Sequence, residues 1–209
     1  MMSIFLPGSI SFATEVEIEL HPITTEKEKG LIDWTQNHIE ATGMAVAPKN
    51  MKGAQAKALA RRGAIVDLQR IPYPVIAALN GPTAGAGFSL ALACDIRICS
   101  EKAFLACAYG RIGVSPDGGM TYFLPRVVGP SKAIEILLND PNLSPEDALK
   151  EGLVSEVVAP DELLTRAREK ADKLAEKSPY YQKMAKHLVH QSLDNSITEQ
   201  LQLERHGIA

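Results

Sequence analysis

Aromatic side chains are scarce, 5% of the chain with a single tryptophan, so a stacking platform for single-stranded nucleic acid is not expected. An excess of positive charge is also missing: 22 Lys and Arg against 25 Asp and Glu leave a net charge of −3. No basic cluster stands out, which argues against nucleic acid as the main partner. Cysteine is limited to Cys94, Cys99 and Cys107, an odd set without CxxC spacing. The three read as reduced core thiols of a cytosolic protein, in or beside apolar runs. No stretch approaches the roughly 18 apolar residues of a membrane span. The opening "MMSIFLPGSISFA" is apolar, but no positive segment precedes it and Pro7-Gly8 breaks it, so a secretory signal is not expected. These absences point to a soluble, cytoplasmic protein. The 209 residues, 45% apolar, suffice for one domain with a sizeable core.

The N-terminal third shows few clear signals. "EVEIEL" (Glu15–Leu20) alternates at period two and predicts a strand, and "EKEKGLIDWTQNHIEATG" predicts a helix stopped by Gly43. "GAQAKALARRGAIVDLQR" (Gly53–Arg70) has helical spacing and is ended by Pro72 and Pro74. Downstream the signals sharpen. "PVIAAL" predicts a strand buried on both faces, followed by an Asn80-Gly81-Pro82 turn, a glycine run and "FSLALA" as a buried helix. "DIRICS" and "AFLACA" predict further strands, and "PDGGMTYFLPRVVG" a turn with one short helix closed by Pro125. "PSKAIEILLN" predicts a helix. "SPEDALKEG" predicts another, with Ser144 as N-cap, Pro145 in the first position, Asp147 three residues on and Gly152 as terminator. "LVSEVVA" is a strand, and two helices fill the chain from Asp161 to about Leu193. Strands alternating with helices give an α/β domain with mainly parallel pairing.

The glycine run "NGPTAGAGFSLALACD" raises the question of function. It lacks the GK[ST] ending of a phosphate loop. Gly85 and Gly87 give G-x-G, but Leu90 stands where the dinucleotide fingerprint needs its third glycine. What remains is a strand, a tight turn and a helix whose first amides are unscreened by large side chains. Such amides attract the partial charge of a polarised carbonyl oxygen, so an oxyanion site for an acyl group fits these residues. Close packing of helix on strand explains small residues equally well.

"PVIAALNGPTAGAGFSLALACDIRI", "GRIGVSPDGGMTYFLPRVVG" and "LSPEDALKEGLVSEVV", in that order, resemble the crotonase family, the enoyl-CoA hydratases and isomerases. The resemblance covers about Gly53 to Ala209. It implies a crotonase-like spiral of ββα units with C-terminal helices, divided as a diverged N-terminal segment (1–52), a core (53–160) and a C-terminal helical region (161–209). It also implies assembly as a homotrimer or homohexamer, an acyl-CoA thioester as substrate and no separate cofactor or metal. By motif position Ala86 is the donor of one of two oxyanion-hole N–H groups, with Gly85 and Gly87 beside it; "ATGMAVAPKN" matches the loop for the other poorly.

Hydratases of the family hold water between two glutamates, and the matching positions here are Ser89 and Tyr109, neither a carboxylate base. Asp117, in "SPDGG" beside Gly118, matches an acidic position found in isomerases of phenylacetate breakdown and of fatty-acid double-bond shifting. One carboxylate can take a proton from one carbon and return it to another, whereas positioning and splitting water usually takes two. The resemblance therefore favours isomerisation of an enoyl-CoA, with Asp117 and Ala86 as catalytic residues and Gly85, Gly87, Ser89, Tyr109 and Gly118 lining the substrate. Asp117 as a cap of the following helix is the structural reading. Hydration by substitute residues and a non-catalytic acyl-CoA-binding or assembly subunit stay open as alternatives.

Other features carry less. "GVSPD" breaks the GxSxG elbow at Asp117, and no histidine lies in the central region to activate Ser115 or Ser89. His187 and His190 have a chelating spacing but no acidic or cysteine cluster nearby, so exposure is expected. With Lys183 and Lys186 they could form a basic face toward the CoA phosphates or a neighbouring subunit. Tyr180 and Tyr181 read as helix packing, Trp34 as core or interface, "EKEK" as a solvated face, and Arg126 as half of an ion pair.

Overall fold

The computed structural model describes residues 65–208 and the backbone of two upstream strands, β1 (Met2–Leu6) and β2 (Glu17–Leu20). The central strand is β3 (Val75–Leu79), whose sequence VIAAL is buried at every position. Branched and small apolar side chains with no polar alternation suit a strand covered on both sides. β3 pairs in parallel with β1 and with β5 (Ile96–Ser100), and β5 pairs in parallel with β7 (Glu156–Val158). β2 closes one edge antiparallel to β1, giving the order β2-β1-β3-β5-β7. The strand predicted in "EVEIEL" is thus the edge strand β2.

A second, two-stranded parallel sheet joins β4 (Pro82–Ala84) to β6 (Phe104–Ala106). The Asn80-Gly81-Pro82 turn is therefore shorter than its sequence suggests. Pro82 opens β4, the edge position where a missing N–H is tolerated. "AFLACA" forms its strand in this small sheet and does not extend the main one.

From β4 the chain turns at Gly85 (φ 55) into helix α1 (Ala86–Ala93). After β6 and a short 3-10 turn (Gly110–Ile112) come α2 (Met120–Val128), α3 (Pro130–Asn139), α4 (Pro145–Lys150), β7, α5 (Leu163–Ala175), α6 (Pro179–Ser192) and α7 (Ile197–Ile208). Pro125 does not close its helix: α2 runs three residues past it. A proline there removes one backbone hydrogen bond, and Leu124, fully buried, keeps the helix seated on the core. α4 follows its sequence closely. The Ser144 hydroxyl oxygen accepts the Asp147 N–H at 3.1 Å and its proton goes to Asp147 Oδ2 at 2.9 Å.

The alternation of β3 divides the core. Val75, Ala77 and Leu79 face a large cluster with Phe88, Leu92, Met120 and Leu124. Ile76, Ala78 and Ile98 face Leu163, Ala167 and Ala171, one stripe of α5 at i, i+4, i+8. Alanines at the middle of the strand and of the helix let their backbones approach closely. The three cysteines are free and buried in the core, as their surroundings predict. Among the described residues no helix is long and apolar enough to cross a membrane.

Candidate active site

Three segments separated in sequence converge at Asp117. Ser89 sits one turn into α1, Tyr109 ends the segment after β6, and Asp117 precedes the two glycines that start α2. The Tyr109 hydroxyl donates to Asp117 Oδ1 at 2.8 Å and lies 3.1 Å from both Asp117 O and Ser89 Oγ. Ser89 Oγ lies 2.9 Å from Asp117 O and 3.3 Å from Gly85 O. Ser89 is fully buried and Tyr109 nearly so. Burial pushes the Tyr109 phenol up to about 12; the neighbouring Asp117 adds to this and the Ser89 hydrogen bond opposes it. At neutral pH Tyr109 therefore keeps its proton and acts as a donor to the carboxylate, not as a base.

Glycine is required at the turn. Gly118 has φ 63, and a Cβ there would lie 2.9 Å from Ser89 Cβ. Gly119 (φ 78) is the N-cap of α2, and no side chain caps that helix. The capping role considered for Asp117 is therefore not taken up: the backbone carbonyl of Asp117 accepts the Met120 N–H, while its carboxylate receives Tyr109. Gly119 in the left-handed region, with the Phe123 ring against it, leaves the cap position without a side chain.

Asp117 and Gly118 line a cavity of about 860 Å3. Its other walls are Ile65, Val66, Gln69 and Arg70, Tyr122 and Phe123 of α2, and the face of α6 that carries Lys183, Lys186, His187 and His190. The volume lies within the usual range for small-molecule sites. Gly85, Ala86 and Gly87 are the turn and first helical residues leading to Ser89. The Gly85 N–H is spent on Ala106 O at 3.0 Å, whereas the Ala86 N–H meets no acceptor among the described residues. "ATGMAVAPKN", Trp34, "EKEK" and the predicted helices up to residue 64 lie outside the described residues.

The α6 face differs from its sequence reading. Lys186 is not part of an exposed basic surface: its ammonium lies 2.7 Å from Asp95 Oδ2, with the side chain 7% exposed. His190 Nε2 lies 3.5 Å from Asp95 Oδ1, and only His187 of the histidine pair is well exposed. Among the described residues no group of three His, Cys, Asp or Glu side chains could hold a metal. No local pattern marks Asp95, at the end of the glycine run, as their partner, although Lys186 and His190, at i and i+4, share a helix face on which one carboxylate can receive both. The helix packing expected of Tyr180 and Tyr181 is not seen, since both rings are exposed; the Tyr180 hydroxyl donates to Gly207 O at 2.7 Å. Arg126 forms its ion pair with Asp194 at 3.2 Å and stacks over the Tyr122 ring. Ser89 as a nucleophile finds no support: its hydrogen-bond partners among the described residues are a phenol and two carbonyls, none able to take its proton.

Comparison with known proteins follows the same lines. The family described as enoyl-CoA hydratase/isomerase matches residues 43–208. A Dictyostelium discoideum protein named "Probable enoyl-CoA hydratase, mitochondrial" is 42% identical over 139 residues, 66% of this chain and 50% of that protein. Among solved structures, an enoyl-CoA hydratase from Bacillus anthracis is 27% identical, with a TM-score of 0.75 over 96% of this chain and 88% of its own. A Thermobifida fusca YX structure, assigned as an enoyl-CoA hydratase and solved with acetoacetyl-CoA, is 32% identical, with a TM-score of 0.69 over 73% of this chain and 60% of its own. The chain spans about half the length of the Dictyostelium relative.

Proposed function

The chain belongs to the enoyl-CoA hydratase/isomerase family, and from that premise we propose that it binds an acyl-CoA thioester and shifts the double bond of an enoyl group by way of an enolate. The observation that carries this reading is the Tyr109–Asp117 hydrogen bond at 2.8 Å, with Ser89 closing the cluster. Both positions matching the glutamates of family hydratases hold hydroxyl side chains, and these support a single carboxylate at the cavity wall. The acetoacetyl-CoA complex of the Thermobifida relative supports a CoA thioester as the ligand class.

In this mechanism Asp117 removes a proton from the carbon between the thioester carbonyl and the double bond. The electron pair moves onto the thioester oxygen, where the Ala86 N–H meets the developing charge. The enolate collapses as Asp117 returns the proton to the far end of the former double bond, leaving it conjugated with the carbonyl. No atom is gained or lost. Tyr109, donating to one carboxyl oxygen, fixes the plane of the group that carries the proton. Gly118 brings Asp117 against Ser89 where any side chain would hold the two apart.

The test is incubation with a 3-enoyl-CoA while conjugated-thioester absorbance is followed, with Asp117→Asn as control. Loss of a positioned acid–base group lowers turnover by about 10²–10⁴-fold, and the variant should melt with the parent. A parent rate no better than that of Asp117→Asn overturns the assignment. Water addition to crotonyl-CoA would indicate hydratase chemistry by substitute residues, and acyl-CoA binding without turnover a non-catalytic subunit.

A further inference from the structure

Two non-glycine residues among the described ones have φ in the left-handed region, Ala108 (φ 61) and Asp140 (φ 43), and they are bonded to each other. The Ala108 N–H donates to Asp140 Oδ1 at 2.7 Å across 32 residues of sequence. Alanine has no side chain able to stabilise this conformation, so something outside the residue must hold it. Asp140 is built to do so. It caps the C-terminus of α3, its own N–H donating to Ile136 O, and its side chain is 9% exposed. Among the described residues its second oxygen has no hydrogen-bond partner but lies 3.4 Å from Arg111 Nε, and Arg111 Nη2 donates to Asp140 O at 2.8 Å and to Asn142 Oδ1 at 2.7 Å. Residues 105 and 143 exchange two backbone hydrogen bonds beside this clasp, joining the same two segments.

The residue enclosed between Ala108 and Arg111 on its two sides is Tyr109, together with Gly110. We propose that Asp140 is a positioning residue for Tyr109: by accepting the Ala108 N–H it holds the backbone that aims the phenol at Asp117. Asp140 touches neither the cavity nor Asp117, so it acts only through the loop. The ion pair to Arg111 closes the far end of the same loop, and the carboxylate serves both ends at once. The proposal rests on the reading of Asp117 as the proton carrier, and it makes the rate of that step depend on a residue at the end of α3.

The test uses Asp140→Gly, Asp140→Asn, Tyr109→Phe and the Asp140→Gly/Tyr109→Phe double variant in the full chain. Glycine accepts φ 43 without cost and removes only the carboxylate; asparagine keeps an oxygen for Ala108 and tolerates the left-handed region. Two readouts are taken: kcat and KM on a 3-enoyl-CoA, and the 13Cζ signal of Tyr109 in tyrosine-labelled protein, assigned by its loss in Tyr109→Phe. Asp140→Gly is expected to lower kcat about 10–100-fold with KM within about twofold, and to shift or broaden the Tyr109 signal. Asp140→Asn should restore most of the rate and the parent signal. In the Tyr109→Phe background Asp140→Gly should cost nothing further, because its effect passes through the missing phenol. An unmoved Tyr109 signal in Asp140→Gly, or an equal loss of kcat with and without the phenol, overturns the proposal. If the parent turns over no enoyl-CoA, the functional reading fails and the signal alone decides the positioning. If Asp140→Gly does not fold, Ala108→Gly, which frees the same φ, must broaden the Tyr109 signal; an unchanged signal there overturns the proposal as well.

Discussion

Lys186 Nζ, on helix α6, lies 2.7 Å from Asp95 Oδ2 at the start of β5, and both side chains are largely buried. The same ammonium donates to Tyr73 O at 3.2 Å, and Asp95 Oδ2 also accepts the Val75 N–H at 2.7 Å. One side chain thus fastens the far wall of the cavity to the leading ends of two central strands.

Removing one partner of a buried ion pair leaves an uncompensated charge, which costs about 3–5 kcal/mol. Lys186→Met should lower unfolding stability by this order in urea titrations, with the slope unchanged. Adding Asp95→Asn should recover a large part of the loss, since the remaining group is then neutral. A Lys186→Met protein within about 1 kcal/mol of the parent would contradict the burial seen here.

Asp95 also sets an acid limit. Burial pushes its carboxyl up, but the His190 imidazole, the Lys186 ammonium and the Val75 amide together outweigh it and hold the group below the ordinary carboxylate range. A depressed folded-state value stabilises the fold fully above the unfolded value of about 3.9 and loses that effect as pH falls through the folded value. Melting temperatures followed downward from pH 6 should therefore drop more steeply for the parent than for Asp95→Asn. Parallel curves would remove Asp95 from the account.

Two glycines separate backbone strain from steric clash. Gly129 has φ 80 with nothing among the described residues within 4 Å of an added Cβ, whereas Gly118 has φ 63 and Ser89 Cβ at 2.9 Å. Gly129→Ala should cost about 1–2 kcal/mol from its left-handed backbone alone. Gly118→Ala should cost more in the same thermal melts, and it alone should impair turnover, because it pushes Ser89 off Asp117. Equal effects of the two substitutions would mean that Ser89 yields without consequence.

The thiols should be silent in the folded protein. Burial raises Cys94 and Cys107 to about 12 and Cys99 to about 11, with Asp95, Asp140 and Glu146 respectively adding to the shift. Since the thiolate is the reactive form, a disulfide reagent at pH 8 should label these cysteines only at the rate of unfolding, and all of them at once in urea. Fast labelling of any one in native buffer would show an opening that these positions do not suggest.

The buried strand VIAAL, the cap at Ser144 and the free cysteines were legible because each follows from residues near in sequence. The expectation that Asp117 works beside the glycine-run helix came from the family resemblance alone, since 28 residues separate Ser89 from Asp117. The arrangement of β4 with β6 was not legible, because three-residue strands are decided by their partner and carry almost no periodicity of their own. Lys186 differs from the expected basic face for a related reason: a lysine on a polar-looking helix shows no sign in sequence of the distant carboxylate beneath it. Asp140 was invisible, since no local pattern marks an aspartate as the acceptor for an alanine amide 32 residues away.

Only Asn80 and Gly81 stand between β3 and β4, which belong to different sheets. Spacer length there is consequently a fixed dimension of the molecule: one added residue would rotate everything from Pro82 to Ser89 relative to the central strand. Engineers who need room for an epitope or a fluorophore should look instead to the exposed connection at 160–162, where slack in the chain disturbs neither sheet.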